Sequence, residues 1–318
     1  MNPKKGTKTV GAQRRTQKGQ DVPTFTEDQA REYFEKLRWP HGPGCVHCGS
    51  VNVYRLQGAA TRPGLFECRD CREQFTVTVG TVMEDTHLPL AKWAMAFHLM
   101  CSSKKGISAL QLQRNLGLGS YRTAWHLAHR IRLAMKCQPL ASQLEYVVEV
   151  DETYVGGKPR KRPGKKNKPS VKVPVLAAVE TGGRVVCQPV KSVDSKTLCD
   201  FVRPNIRKSA IVVTDELSLY RKAAKYHADH QTVNHSVEEY VNPEGFTTNT
   251  AEGFFSLLKR GVYGTFHKVS AQHMHRYCDE FAFRWNGRTA TDSERRDAAI
   301  RQIEGKRLMY KKPVGRQS

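Results

Sequence analysis

The spacing of apolar side chains divides this chain into a first part written in helical period and a second that opens in strand period. Thr26, followed three residues later by Gln29, forms a capping-box pattern, and Ala30, Tyr33, Phe34 and Leu37 then recur as one helix face until Trp39-Pro40 ends it. Residues 89–100, with Trp93, Met95, Phe97 and Leu99, predict a second helix. Ser108 with Gln111 is another capping box; Leu110, Leu112 and Leu116 supply apolar positions, and Gly117 is placed for the left-handed turn that closes the helix. A further helix starts near Ser120, with Tyr121, Ala124, Ala128 and Ile131 expected inward and Arg122, His126, His129 and Arg130 outward. Helix, glycine turn and a helix with an outward basic row make a helix-turn-helix candidate, with Arg122, His126 and Arg130 as DNA-reading residues in the major groove. A three-helix bundle with a solvated face carries the same pattern.

From residue 145 the period becomes two. Tyr146-Val-Val-Glu-Val150 predicts a strand closed by Asp151, and residues 173–179 and 185–190 predict two more, joined by a turn at Gly182-Gly183. A helix near 195–202, a strand over 210–214 closed by Asp215, a helix near 217–226, a short strand at 232–234 and a helix over 250–260 follow. The last long helix, 271–285, is apolar through Met274, Tyr277, Phe281 and Trp285. Three strands in succession, then helix, strand, helix, is the layout of a ribonuclease-H-like α/β fold, a mixed sheet flanked by helices. The expected organisation is a disordered basic arm (1–24), a helix with a small β ribbon (25–80), an all-α helix-turn-helix segment (87–137), the ribonuclease-H-like domain (145–290) and a basic C-terminal tail (291–318).

Cys45-Val-His-Cys48 and Cys68-Arg-Asp-Cys71 add chemistry to the ribbon. Two CxxC knuckles separated by nineteen residues can face each other across a short β-ribbon, so their four thiolates close a tetrahedron around structural Zn²⁺. Four unrelated buried thiols or two disulfides fit less well, because Gly44 and Gly49 bracket the first knuckle and the strand-like Gln74-Phe-Thr-Val-Thr-Val79 follows the second. The other five cysteines are scattered singly, which is no extracellular disulfide framework and fits a reducing cytoplasm.

Charge names the partner. The 318 residues carry 52 Lys+Arg against 30 Asp+Glu, a formal net charge of +22, and a polyanion releases its condensed counterions to such a surface. Nucleic acid is therefore the first candidate and, with the helix-turn-helix segment, double-stranded DNA near the nucleoid; a membrane is not expected, since no apolar run approaches a spanning length and no secretory signal opens the chain. The segment between the first two strands concentrates charge among Pro and Gly, including Lys161, Arg162, Lys165 and Lys166, and reads as a mobile loop for nonspecific phosphate contact.

The expected fold gives three acids a shared purpose. Strand ends would bring Asp151 and Asp215 together, and Glu252 would arrive from the first turns of a later helix. Like charges held close need a cation, and Mg²⁺, for which Mn²⁺ can substitute, accepts carboxylate, water and phosphate oxygens. Two such ions about 3.5–4 Å apart activate an attacking hydroxyl and stabilise a leaving 3′ oxygen. Taken singly, each acid is ordinary turn or helix-start chemistry. Glu152 and Glu216, next to the aspartates, would point to the opposite face of an extended strand.

Val150-Asp-Glu-Thr-Tyr-Val-Gly-Gly-Lys158, Val213-Thr-Asp-Glu216, Val233-Asn-His-Ser236 and Asn249-Thr-Ala-Glu-Gly-Phe-Phe-Ser-Leu-Leu-Lys-Arg260 resemble the DDE domain of bacterial insertion-sequence transposases. With the zinc ribbon and helical segment in front, the chain resembles insertion-sequence family fifteen-ninety-five over about residues 26 to 290. The resemblance implies Asp151, Asp215 and Glu252 as the metal triad and Lys259, two helical turns beyond Glu252, as an auxiliary basic residue meeting DNA phosphate. Some relatives are described with Asn in the third place, which brings in Asn249; the carboxylate of Glu252 is the stronger Mg²⁺ ligand. His235 is a further candidate, and Tyr263, Phe266 and His267 either stack on a frayed base or pack the last helices together. The expected activity is cleavage at the terminal inverted repeats and strand transfer, by at least a dimer on DNA. The rivals are a catalytically silent DNA-binding regulator and a structure-selective nuclease of the same fold.

Overall fold

A computed structural model describes residues 24–137, 140, 142–156, 172–216, 218–233 and 241–310. The basic arm, the Lys161, Arg162, Lys165 and Lys166 loop and His235 lie outside the described residues.

Helix α1, Glu27–Arg38, starts at Thr26 with both capping-box bonds made. Strands β1 (Val53–Arg55), β2 (Phe66–Cys68) and β3 (Gln74–Phe75) form an antiparallel ribbon. Its small core stacks Phe66 on Phe75 at 5.7 Å, with Trp39 edge-on to both. The strand expected through Val79 stops at Phe75. Turn bonds from Val79 N to Thr76 O and Thr81 N to Thr78 O redirect the chain, sending Val77, Val82 and Met83 into a neighbouring core.

That core belongs to a helical body: α2 (Leu90–Ser102), α3 (Ala109–Leu116) and α4 (Tyr121–Ala134) pack Trp93, Phe97, Met100, Leu112, Leu127 and Ile131 around Phe34 of α1. Gly117 closes α3 in the left-handed conformation, φ 57°. Two expected inward positions face out, since Leu110 and Tyr121 are exposed.

Strands β4 (Val147–Val155), β5 (Val173–Glu180), β6 (Val185–Pro189), β7 (Ile211–Asp215) and β8 (Asp229–Val233) make a mixed sheet of order β6-β5-β4-β7-β8. The first three pair antiparallel, while β7 and β8 run parallel to β4. Helices α5 (Ser195–Asn205) and α6 (Tyr220–Ala224) cover one face, where Leu198, Phe201 and Tyr220 meet Val148, Val150, Leu176 and Ala178. Helices α7 (Asn249–Gly261) and α8 (Met274–Asn286) cover the other, packing Ala251, Phe254, Leu258 and Phe281 on Val155, Val175, Ala177 and Val179. The alternation of strand side chains assigns each residue of β4 to one of these two cores.

Asp151 does not close its strand: β4 runs on to Val155 because β5 pairs with it along nearly its whole length, through Val155↔Val173. On the other side the ladder with β7 ends at Glu149↔Val213, two residues before Asp151.

The last part of the chain is not a separate tail. Helix α9, Asp292–Arg301, inserts Ala299 and Ile300 into the helical body, joined by Ile303. Thr81 bridges Glu304, and Lys306 Nζ donates to the carbonyls of Ala134 and Lys136. The helical body meets the sheet domain through Arg132 of α4, whose guanidinium bonds Glu280 of α8 at 2.6 Å; Glu280 also takes Arg284 at 2.6 Å. All three side chains are buried.

Candidate functional site

The knuckles of the ribbon converge. Cys45 and Cys71 sulfurs lie 3.6 Å apart, as do those of Cys48 and Cys68, and all four sulfurs fall within 4.8 Å of one another. Those contacts are too long for disulfides at about 2.05 Å. They match the edge of a sulfur tetrahedron around zinc, about 3.8 Å for Zn–S bonds of about 2.3 Å. Burial opposes charge on Cys45, but backbone N–H groups of Cys48 and His47 aimed at its sulfur hold the thiol down to about 6, ready to bind as thiolate. Four protein thiolates leave no place for substrate, so the donor set fits a structural zinc.

The three acids come from three separated segments. Asp151 sits midway along β4 and projects toward α7, on the same face as Glu149 and Val155. Asp215 is the last residue of β7. Extending the Glu149↔Val213 register by two residues sets it level with Asp151. Glu252 stands in the first turn of α7. Their fields overlap: burial first, then the charges of Glu152, Asp215 and Glu252, push the Asp151 carboxyl up to about 7. The four cysteines are the one group of three or more metal-type ligands within 4.8 Å among the described residues, so the three carboxylates are not drawn that close together.

Glu149, which sequence reasoning passed over, fixes the helix that carries Glu252. Thr248 makes no side-chain cap for α7; instead the buried Glu149 carboxylate accepts from the N–H of Ala251 at 2.8 Å, and Thr250 also bonds to it. A strand residue thus caps a helix about a hundred residues away. Its other oxygen, Oε1, is buried without a hydrogen-bond partner, and burial holds the carboxyl above its usual range. The available signal was an acid inside the apolar run Val147-Val-Glu-Val150, two residues before Asp151 and therefore on its face.

Glu152 takes the opposite face, where its carboxylate accepts the hydroxyl of Tyr220. Glu216 is exposed. Asn249, first residue of α7, is exposed, and its backbone N–H donates to Thr247 Oγ1 at 3.1 Å. It does not line the cavity in front of the acids.

That cavity measures about 950 Å³ and is walled by Asp151, Glu152, Thr153 and Glu252 on the acidic side. Lys259 and Arg260 from the end of α7, Tyr263 to Thr265 from the π-helical turn Val262–Phe266, and Lys105 from the α2–α3 turn complete it. Lys259 and Glu252 share the cavity, as their seven-residue spacing expects. Tyr263 is exposed, and its hydroxyl reaches the backbone N and O of Gly156 at 3.3 and 3.2 Å. Phe266 packs against Tyr277 and Phe281, and His267 is exposed.

The outward basic row of α4 does not exist as expected. Arg122 is exposed, but His129 is fully buried and Arg130 is nearly so. The guanidinium of Arg130 donates to the carbonyls of Val82 and Glu84 and lies over the Trp93 ring at 5.1 Å. His126 is half-buried, 3.1 Å from the Leu308 carbonyl. Residues 82–84 cover Arg130, the C-terminal segment covers His126, and His273 and Tyr277 cover His129; the helical periodicity of α4 alone carries no information about them.

Residues 25–74 match the transposase zinc-ribbon domain, and residues 143–286 match the ISXO2-like transposase domain. The chain is also 27% identical over 256 residues to a protein of Halobacterium salinarum described as an uncharacterized protein in transposable element ISH50, an alignment covering 75% of this chain and 84% of that protein.

Proposed function

We propose, for a chain that carries the zinc-ribbon and ISXO2-like domains of insertion-sequence transposases, the cleavage of DNA at the ends of its element and the joining of the freed 3′ ends to target DNA. The sheet order β6-β5-β4-β7-β8 with helices on both faces supports a ribonuclease-H-like catalytic domain. One observation carries the reading: Asp151 and Glu252 line one cavity with Lys105, Lys259 and Arg260, and Asp215 ends β7, the strand parallel to β4.

Carboxylate oxygens that repel one another are the donor set for hard divalent cations, so Asp151, Asp215 and Glu252 would hold Mg²⁺. When bound, the metal pair supplies activation of the attacking hydroxyl and charge neutralisation at the leaving 3′ oxygen. The chain's own residues do the positioning. Glu149 fixes the start of α7 and hence Glu252. Lys259, in the same cavity as Asp151, pairs with a phosphate oxygen and orients the scissile group for in-line displacement. Water attacks in the first step and the freed 3′-hydroxyl in the second, with the same geometry, so no residue becomes joined to DNA. Two ends must be processed together, which calls for at least a dimer on DNA, in the cytoplasm beside the nucleoid. No helix among the described residues is long and apolar enough to cross a membrane.

The test uses purified protein, Mg²⁺ and the DNA flanking its own gene. Cleavage and joining should be lost in Asp151→Asn, Asp215→Asn and Glu252→Gln while binding persists. Activity surviving in Glu252→Gln but lost in Asn249→Ala would move the third ligand to Asn249. Binding without cleavage by the unsubstituted protein, in Mg²⁺ and in Mn²⁺, would make it a regulator instead.

A further inference from the structure

One wall of the acidic cavity comes from the other body of the molecule. Lys105 stands in the turn between α2 and α3, far from Glu252 and Lys259 in sequence, yet lines the cavity with Asp151, Glu252 and Lys259. Its place is fixed by packing. Gly106 has φ +86°, and a Cβ added there would come within 2.5 Å of the Phe266 ring in the π-helical turn. A Cβ on Gly261, at the end of α7, would meet the Phe281 ring and stand 3.0 Å from the Lys105 carbonyl. The two glycines thus let the α2–α3 turn lie against the end of α7, through the Lys105 carbonyl, and against the Phe266 ring of the π-helical turn. Phe266 is held from behind by Tyr277 at 4.8 Å and by the Arg132 guanidinium at 5.1 Å. Arg284 Nε donates to the Ser103 carbonyl at 2.7 Å, and Ser103 Oγ to the Gly106 carbonyl at 2.7 Å.

We infer that Lys105 is a substrate-contacting residue of this cavity, seating a backbone phosphate of the DNA strand beside the scissile bond, so that the helical body delivers a cation into the catalytic site. The inference rests on the proposed cleavage of DNA. Lys105, Lys259 and Arg260 share the cavity with Asp151 and Glu252. A phosphodiester chain entering it would present its reacting phosphate to the acids and a neighbouring phosphate to Lys105. The turn that carries Lys105 is clamped by Arg284 and Phe266, so less backbone freedom is lost on binding than for a lysine on a free loop.

The experiment compares Lys105→Ala, Lys105→Arg and Lys104→Ala; Lys104 is the adjacent exposed lysine outside the cavity wall. Binding of a short duplex of the DNA flanking the gene is measured against salt in Ca²⁺, and cleavage of the same duplex in Mg²⁺. Lys105→Ala should lower the slope of log affinity on log salt by about 0.9, one phosphate contact. It should also slow cleavage about 10- to 100-fold, the range for a lost charge-assisted hydrogen bond. Lys105→Arg should retain most of both, and Lys104→Ala should match the unsubstituted protein. An unchanged salt slope in Lys105→Ala overturns the inference whatever the cleavage result, as does equal loss in Lys104→Ala. A reduced slope specific to Lys105, with no cleavage by the unsubstituted protein, leaves the phosphate contact standing and sinks the catalytic reading instead.

Discussion

Asp151→Asn should make the metal-free protein more stable while abolishing its chemistry. Burial and the charges of Glu152, Asp215 and Glu252 raise its carboxyl from 3.8 to about 7. An acid whose folded-state pKa lies above its unfolded value favours the folded state at low pH. That contribution is complete below about 4 and is lost as pH rises through about 7. At pH 8 the ionised carboxylate therefore costs the folded state up to about 4 kcal/mol, at about 1.4 kcal/mol for each tenfold change in proton affinity. Asp151 is only partly buried, so solvent screening leaves about 1–3 kcal/mol as the expected gain when Asn replaces the charge. Chemical denaturation followed by tryptophan fluorescence, with EDTA for loosely held divalent ions, measures it: Trp285 lies beside Phe254 of α7 at 5.7 Å and reports on this domain. The gain should shrink as pH falls toward 4, because there the natural carboxyl is protonated. Added Mg²⁺ should stabilise the unsubstituted protein and not the variant, since a ligand that binds only the folded state adds stability that grows with its affinity. A variant equal to or less stable than the parent at pH 8, or a gain independent of pH, would refute the account of Asp151 as a carboxylate held against its neighbours.

Other outcomes follow from the same structure. Cys45→Ser or Cys68→Ser, or prolonged chelation, should unfold the ribbon, because structural zinc supplies on the order of 10 kcal/mol of folding free energy; metal analysis should give one zinc per chain in the parent and none in these variants. Glu280→Ala should cost about 3–5 kcal/mol, read by denaturation, because it strands the buried Arg132 and Arg284 without their counter-charge; a loss under about 1 kcal/mol would show the junction to be unimportant. Arg130→Ala should lower stability by about 2–4 kcal/mol, removing a buried guanidinium from two carbonyls, and should not selectively weaken binding to the terminal repeat. Arg122→Ala should leave stability unchanged and lower affinity for the repeat more than for random duplex, checked by binding to both.

Local chemistry was legible where neighbours in sequence are neighbours in space. The Thr26 and Ser108 caps, the Gly117 turn and the two cysteine knuckles each lie within one turn of the chain, so residue type and spacing alone determine them. The alternation in β4 likewise separates Asp151 from Glu152, because a strand has only two faces. What the sequence left undecided depends on which segments pack together. Which side of α4 is covered was decided by residues 82–84, which bury Arg130, by the C-terminal segment against His126, and by His273 and Tyr277, which pack on His129. The length of β4 was decided by its β5 partner, which carries it past Asp151 to Val155. Glu149 as the cap of α7, and Lys105 in the cavity wall beside Glu252, are contacts across about a hundred residues or more of chain. Periodicity reports the polarity of a residue's surroundings, whereas a polar residue's partner is chosen by tertiary packing, and no local pattern encodes that choice.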